Sequence, residues 1–161
     1  MGYYQLYRTL ELPVSLEEAW DFISSPSNLK RITPEHMGFD IISPNLPEKI
    51  YSGLIIAYQV SPFLGIKMKW VSEITHVEEL SFFVDEQKIG PYRLWHHQHR
   101  LESIPAGVVM SDIVTYQPPM GLLGTAANFL VIRKKLNEIF EFRKNRLQEI
   151  FGGGSVQGGN R

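Results

Sequence analysis

Between residues 39 and 117 the apolar side chains recur at every second position; between 122 and 151 they recur at every third or fourth. This change of period narrows what the chain can become more than any other feature. Alternation puts successive side chains on opposite faces of a strand, and the longer period draws one stripe along a helix. Six strands are predicted in the first region, over 39–43, 49–60, 66–77, 81–87, 92–103 and 108–117. The breaks between them hold Pro44 and Pro47, Pro62 with Gly65, Glu78-Glu79, Gly90-Pro91, and Pro105 with Gly107. Most of these are residues that favour chain reversals, and connections this short join antiparallel neighbours.

The flanks complete the architecture. Residues 3–12 (YYQLYRTLEL) read as a further strand, ended by Pro13. Ser15 and Glu18 then form an S-x-x-E capping box, and Leu16, Ala19, Trp20 and Ile23 fall on one face of a short helix. Pro26 stops that helix or starts the next, so SNLKRITP (27–34) supplies a second short helical piece. From Leu122 to Phe151, the stripe Phe129, Ile132, Leu136, Phe140, Leu147 and Phe151 predicts a long helix. Its length is about 45 Å at ~1.5 Å per residue. Six basic residues, Arg133, Lys134, Lys135, Arg143, Lys144 and Arg146, are assigned to its solvated face, interleaved with Glu138, Glu141 and Glu149. A sheet this large needs cover on one face, and only the long helix is big enough to give it. Where the sheet curves around that helix, the space between them can remain a cavity.

The expectation is one α+β domain over residues 1–151 and a flexible Gly-rich tail over 152–161. The 161-residue chain suits one domain with its own core. Its net charge of −1 argues against a nucleic-acid partner, which would call for a basic stripe. It has no cysteine, which excludes disulfide and thiolate chemistry and fits a cytoplasmic location. No segment approaches the roughly 20 apolar residues of a membrane span, so an integral membrane protein is not expected. The apolar segments PFLG (62–65) and MGLLG (120–124) either pack on their own strands, gate a pocket, or touch a membrane transiently.

Chemistry concentrates in RLWHHQHRLE (93–102), which holds three of the five histidines. On a strand, Trp95, His97, His99 and Leu101 share one face, while Leu94, His96, Gln98, Arg100 and Glu102 share the other, more polar one. If Ser103 pairs with Val108 across the turn, then Leu101 opposes Met110, His99 opposes Asp112, His97 opposes Val114, and Trp95 opposes Tyr116. An inward histidine then meets an inward carboxylate. Four readings stay open. The pair can be a satisfied polar contact fixing register, or a group that orients a mainly apolar guest. His97 or His99 can act in acid–base catalysis, with Asp112 setting the tautomer. Or His97-x-His99 with Asp112 can hold zinc or iron. Many strands carry HxH without a metal, and nothing here matches HExxH, so neither a metal nor a cofactor is expected. His36 and His76 read as solvated. Trp70 shares a face with Met68, Ser72 and Ile74, as core or as cavity wall. Asp85 and Gln87 share a face with Phe83, and the sequence leaves open whether that face is the inner one.

Four segments in this order, GIKMKWVSEIT (65–75), FVDEQKIGPYRLWHHQHRLE (83–102), MSDIVTYQPPMG (110–121) and IRKKLNEIFEFR (132–143), resemble the START-like or SRPBCC superfamily. The likeness covers about residues 3–151 and is greatest to its bacterial polyketide cyclase/dehydrase and lipid transport group. It implies the helix-grip fold, with about seven antiparallel strands curved around a long C-terminal helix and two short helices after the first strand. It also implies a hydrophobic small molecule or lipid as partner. On that reading Trp70, Trp95, Met110, Tyr116 and Phe129 supply apolar surface, and His97, His99 and Asp112 supply orientation. The rival expectation is a cyclase- or dehydratase-type enzyme using the His99–Asp112 pair in the same cavity.

Overall fold

Glycine and proline sit where the chain reverses. The computed structural model describes residues 3–63, 66–118 and 131–152, except for the side chains of residues 62 and 63. Seven strands form one sheet: β1 (Tyr4–Leu12), β2 (Asp40–Ile41), β3 (Ile55–Phe63), β4 (Ile66–Glu78), β5 (Phe82–Ile89), β6 (Leu94–Ile104) and β7 (Gly107–Gln117). Their order is β1-β7-β6-β5-β4-β3-β2, and every neighbouring pair is antiparallel. Among the described residues, two helices flank the strands, α1 (Leu16–Ile23) and α2 (Arg133–Phe151), with 3-10 segments at Pro26–Ile32 and Glu35–Met37. The helix-grip architecture expected from the sequence is the one observed.

Local chemistry explains most boundaries. The Glu18 amide donates to Ser15 Oγ at 3.1 Å, so the first half of the capping box starts α1. Pro26 opens the next segment at its first position, where its missing N–H costs nothing. β3 begins at Ile55, later than the predicted 49, because residues 51–54 are a turn closed by the Leu54 amide on the Tyr51 carbonyl, with Gly53 at φ +93°. The predicted strand 39–43 shortens to Asp40–Ile41. Gly107, at φ +139°, opens β7 where a Cβ would stand 2.1 Å from the Leu12 carbonyl oxygen, so only glycine lets β1 end alongside β7.

The interior has two apolar regions. One packs Leu12, Trp20, Ile56, Val108, Met110 and Leu147; the other packs Leu6, Val114, Tyr116, Ile132, Leu136 and Phe140. Next to them runs a row of polar side chains, buried on β6, β7 and α2 and half-buried on β5, and the candidate site is built on it. Within the long helix predicted from Leu122 onward, residues 122–130 lie outside the described residues, as do Phe129, the MGLLG segment and all but Gly152 of the predicted tail. Leu64 and Gly65 of the PFLG loop lie outside them too. No described helix is long and apolar enough to cross a membrane.

Candidate functional site

The central strands carry the polar row because alternation and register coincide there. In β6, His97 and His99 point to the same face, two residues apart. β7 places Asp112 directly opposite His99 and Val114 opposite His97, the pairing predicted from the short turn. β5 places Asp85 opposite His97 and Phe83 opposite His99. Arg143 reaches in from α2. His97, His99, Asp112 and Arg143 are all buried.

The contacts are tight. His97 Nε2 lies 2.9 Å from Asp112 Oδ1, and His97 Nδ1 lies 3.5 Å from Asp85 Oδ1. His99 Nε2 donates to Asp85 Oδ1 at 2.8 Å. His99 Nδ1 stands 3.2 Å from both Arg143 Nη2 and Asp112 Oδ1, so it can accept from the guanidinium or donate to the carboxylate. Arg143 Nη2 also lies 3.5 Å from Asp112 Oδ1. The His99 ring stacks on Phe83 at 4.1 Å and 13°, and its centroid is 3.7 Å from that of His97.

These surroundings set the charges. Burial drives the His97 pKa down to about 4, helped by the neighbouring His99 charge and opposed by the two aspartates. His97 is therefore neutral at pH 7, and its Nε2–H donates to Asp112. Burial pushes the Asp112 carboxyl up, but the Arg143 charge and the hydrogen bonds from His97 and His99 outweigh it and hold the group well below the usual range. Burial likewise opposes ionisation of Asp85, and the His99 hydrogen bond with the surrounding positive charges lowers its pKa nonetheless. Two ionised carboxylates thus share one interior with one guanidinium.

One side of this group opens on a cavity of about 200 Å³ between the sheet, the N-terminal helical segments and α2. Phe22, Leu29 and Ile32 border it from one side, and Leu136, Ile139 and Phe140 from α2. Ile56, Tyr58 and Val60 of β3 and Ile74 of β4 form the sheet wall. Across the cavity lies an aromatic set in which Trp70 meets Trp95 edge-on at 5.2 Å, and Tyr92 lies 4.9 Å from Trp95. The Trp70 indole N–H donates to Ser72 Oγ at 3.0 Å, so its polar edge is satisfied and its faces remain apolar. Burial raises the Tyr58 and Tyr92 phenols above their ordinary pKa, with the Asp85 charge adding to the effect at Tyr58. Asp85, His97, His99 and Arg143 are the ionisable side chains at the cavity surface among the described residues, apart from the two tyrosines.

Of the residues singled out from the sequence, Trp70, Trp95, His97 and His99 border the cavity. Asp112 stands behind the histidines, Met110 packs in the first apolar region opposite Leu101, and Tyr116 packs in the second against Tyr4 at 5.7 Å. None of these three reaches the cavity surface. Phe129 lies outside the described residues. His36 and His76 are exposed. Among the described residues, the group with ligand-type atoms clustered for a metal is Asp85, His97 and His99, within 4.8 Å of one another, so Asp85 stands at the cavity side where the sequence suggested Asp112.

Two residues of the site are not legible as such in the sequence. Alternation alone does not choose a face for Asp85, because Phe82 and Val84 are as apolar as Phe83. Arg143, whose charge suggests the solvated side of the helix, is instead 7% exposed, against the site. Its spacing carried the signal: 136, 140, 143 and 147 step by four, three and four, one helical stripe with a guanidinium in it.

No protein-family model matches this chain. No curated protein matches it either. Solved structures do. Protein Ms6760 from Mycobacterium smegmatis superposes with a TM-score of 0.67 at 17% identity, covering 92% of this chain and 91% of that one. Protein CV1439 from Chromobacterium violaceum gives 0.68 at 12% identity, covering 94% and 98%. The structure of Ara h 8.0201 gives 0.60 at 12% identity, covering 92% and 99%. At such identities the likeness speaks to the backbone alone, and these matches together with the sheet order and C-terminal helix show a helix-grip fold.

Proposed function

We propose that the protein binds a hydrophobic small molecule or lipid in the cavity between the sheet and α2. The observation that carries this reading is the contrast within the cavity wall. Most of it is aromatic or aliphatic, and apart from the two tyrosines its ionisable side chains among the described residues converge at the Asp85–His97–His99–Arg143 group. Apolar burial supplies the affinity for such a guest, and the polar group fixes its orientation. Trp70 and Trp95 offer edges and faces to a planar or acyl guest. The likeness of the sequence to the polyketide cyclase/dehydrase and lipid transport group supports the same class of partner, and the cysteine-free composition suits a cytoplasmic carrier or receptor.

Titration of the full chain with 1-anilinonaphthalene-8-sulfonate, followed by displacement with long-chain acyl and aromatic polyketide-like compounds, tests the reading. Val60→Phe adds bulk to the cavity wall and is expected to weaken probe binding at least ~10-fold while the chain stays folded. Unchanged binding in that variant would place the probe elsewhere and remove the cavity from the argument.

A second reading rests on the two histidines at the cavity surface. Each has a carboxylate partner, as a general base requires for orientation. In this reading the protein is a cyclase- or dehydratase-type enzyme, with His99, bridging Asp85 and Asp112, as its acid–base group. His99→Gln then abolishes turnover and spares binding, whereas in a carrier it only weakens binding.

A further inference from the structure

We infer that Asp85, His97 and His99 form a binding site for one divalent transition-metal ion, zinc or iron(II), at the polar end of the cavity. This goes beyond the binding of an apolar guest and stands whether or not such a guest exists. The sequence by itself carries no HExxH-type motif, and an HxH pair on a strand is not by itself a metal signal.

Geometry makes the case. Asp85 Oδ1 lies 2.8 Å from His99 Nε2 and 3.5 Å from His97 Nδ1. In a tetrahedral site with arms of ~2.1 Å, ligand atoms stand about 3.4 Å apart. All three ligand atoms lie within 4.8 Å of one another, so small side-chain adjustments, including an opening between Asp85 and His99, give a three-ligand face. Two histidines and one carboxylate with open positions are the donor set typical of non-haem iron(II), and are also acceptable to zinc. All three residues border the cavity, so the open positions face a space that a ligand oxygen or water can enter.

The residues behind this face are already arranged as an outer shell. Metal-bound histidines donate their second ring N–H to a carboxylate or carbonyl, which fixes tautomer and ring plane. Here one oxygen, Asp112 Oδ1, stands within reach of both: His97 Nε2 at 2.9 Å and His99 Nδ1 at 3.2 Å. His97 already carries its proton on Nε2, leaving Nδ1 with a lone pair towards Asp85. For His99, metal at Nε2 moves the proton to Nδ1, where Asp112 accepts it, so binding need not expel a proton from the site. Arg143 Nη2 lies 3.5 Å from Asp112 Oδ1 and steadies that carboxylate.

The test is calorimetric titration of zinc(II) into the chelator-treated full chain, followed by cobalt(II) absorption spectroscopy on the same preparation. One equivalent is expected to bind, and cobalt(II) is expected to give the intense visible bands of four- or five-coordination. Asp85→Asn, which keeps the shape, should weaken zinc binding by more than the ~10–100-fold lost when an outer-shell partner is changed, and Asp112→Asn should fall within that range. The double variant His36→Gln/His76→Gln, which removes exposed imidazoles, should bind as the parent does. The proposal is overturned if the parent binds no stoichiometric zinc, or if folded Asp85→Asn binds as tightly as the parent. Should Asp85→Asn fail to fold, the cobalt spectrum of the parent decides alone, since the faint bands of six-coordinate aqua cobalt(II) would overturn the site. Probe binding by the chelator-treated protein separates failure here from failure of the apolar-cavity reading.

Discussion

On the outer face of β6, His96 Nδ1 lies 2.9 Å from Glu86 Oε1; on the inner face, one residue later, His97 Nε2 lies 2.9 Å from Asp112 Oδ1. The distances are equal and the chemistry is the same. The surroundings are not: the outer side chains are 31% and 35% exposed, the inner ones 6% and 7%. Outside, water takes up whatever either partner gives up, and salt screens the rest. Inside, each group depends on its neighbours, because an unpaired buried charge or donor has nowhere else to turn. The separation of two atoms thus says little about what a contact is worth; the medium around it decides.

Substituting one residue on each face makes the contrast measurable. Asp112→Ala should have the largest effect, because it strands Arg143 and removes the acceptor shared by His97 and His99. Losing one partner of a buried ionic group costs about 3–5 kcal/mol, readable as a lowered midpoint in urea denaturation. A cost below about 1 kcal/mol would mean that the interior is wetter than its burial implies and would put Asp112 in the class of Glu86.

Alkaline pH probes the same contrast with a neutral group. The buried Tyr58 phenol has its pKa raised by burial, while Tyr3, Tyr7 and Tyr51 are exposed. A raised folded-state value means that the native chain keeps a proton that the unfolded chain releases above pH ~10. Stability from this group is therefore complete below pH ~10 and falls by about 1.4 kcal/mol per unit above it. Tyr58→Phe should flatten the alkaline limb of the stability curve; an unaltered limb would show that Tyr58 ionises as freely as the exposed tyrosines.

Glu86→Gln should have the smallest effect, about 0–1 kcal/mol, and should shrink further in added salt. A loss approaching that of Asp112→Ala would collapse the distinction between the two faces.

How far the sequence carried depended on whether alternation or identity held the information. The register of β6 on β7 was legible because a short turn fixes it and because both strands alternate cleanly, so His99 could be set opposite Asp112 before any coordinates. β5 was ambiguous because apolar residues occupy both of its faces near Phe82–Val84, and only packing against β4 and β6 selects one. β3 starts later than its apolar pattern suggests because Ile50 and Leu54 are apolar for the sake of a packed turn rather than a strand. Arg143 was hidden by its own chemistry: charge suggested solvent, while spacing placed it on the Phe140–Leu147 stripe. The cavity itself could be expected only from architecture, since no local pattern distinguishes a side chain that fills a core from one that walls an empty space.

The stacking of His99 has a consequence for motion. Its ring lies nearly parallel to Phe83 and close against His97, with a nitrogen held at each edge. A half-turn of the imidazole would have to push Phe83 aside and break both edge contacts at once. His99 therefore cannot serve as a swinging carrier that picks up a proton on one side and delivers it on the other. Any proton it relays must enter at one nitrogen and leave from the other, with the ring at rest, so the speed of such a relay is set by breathing of the β5–β6 pair and not by side-chain rotation.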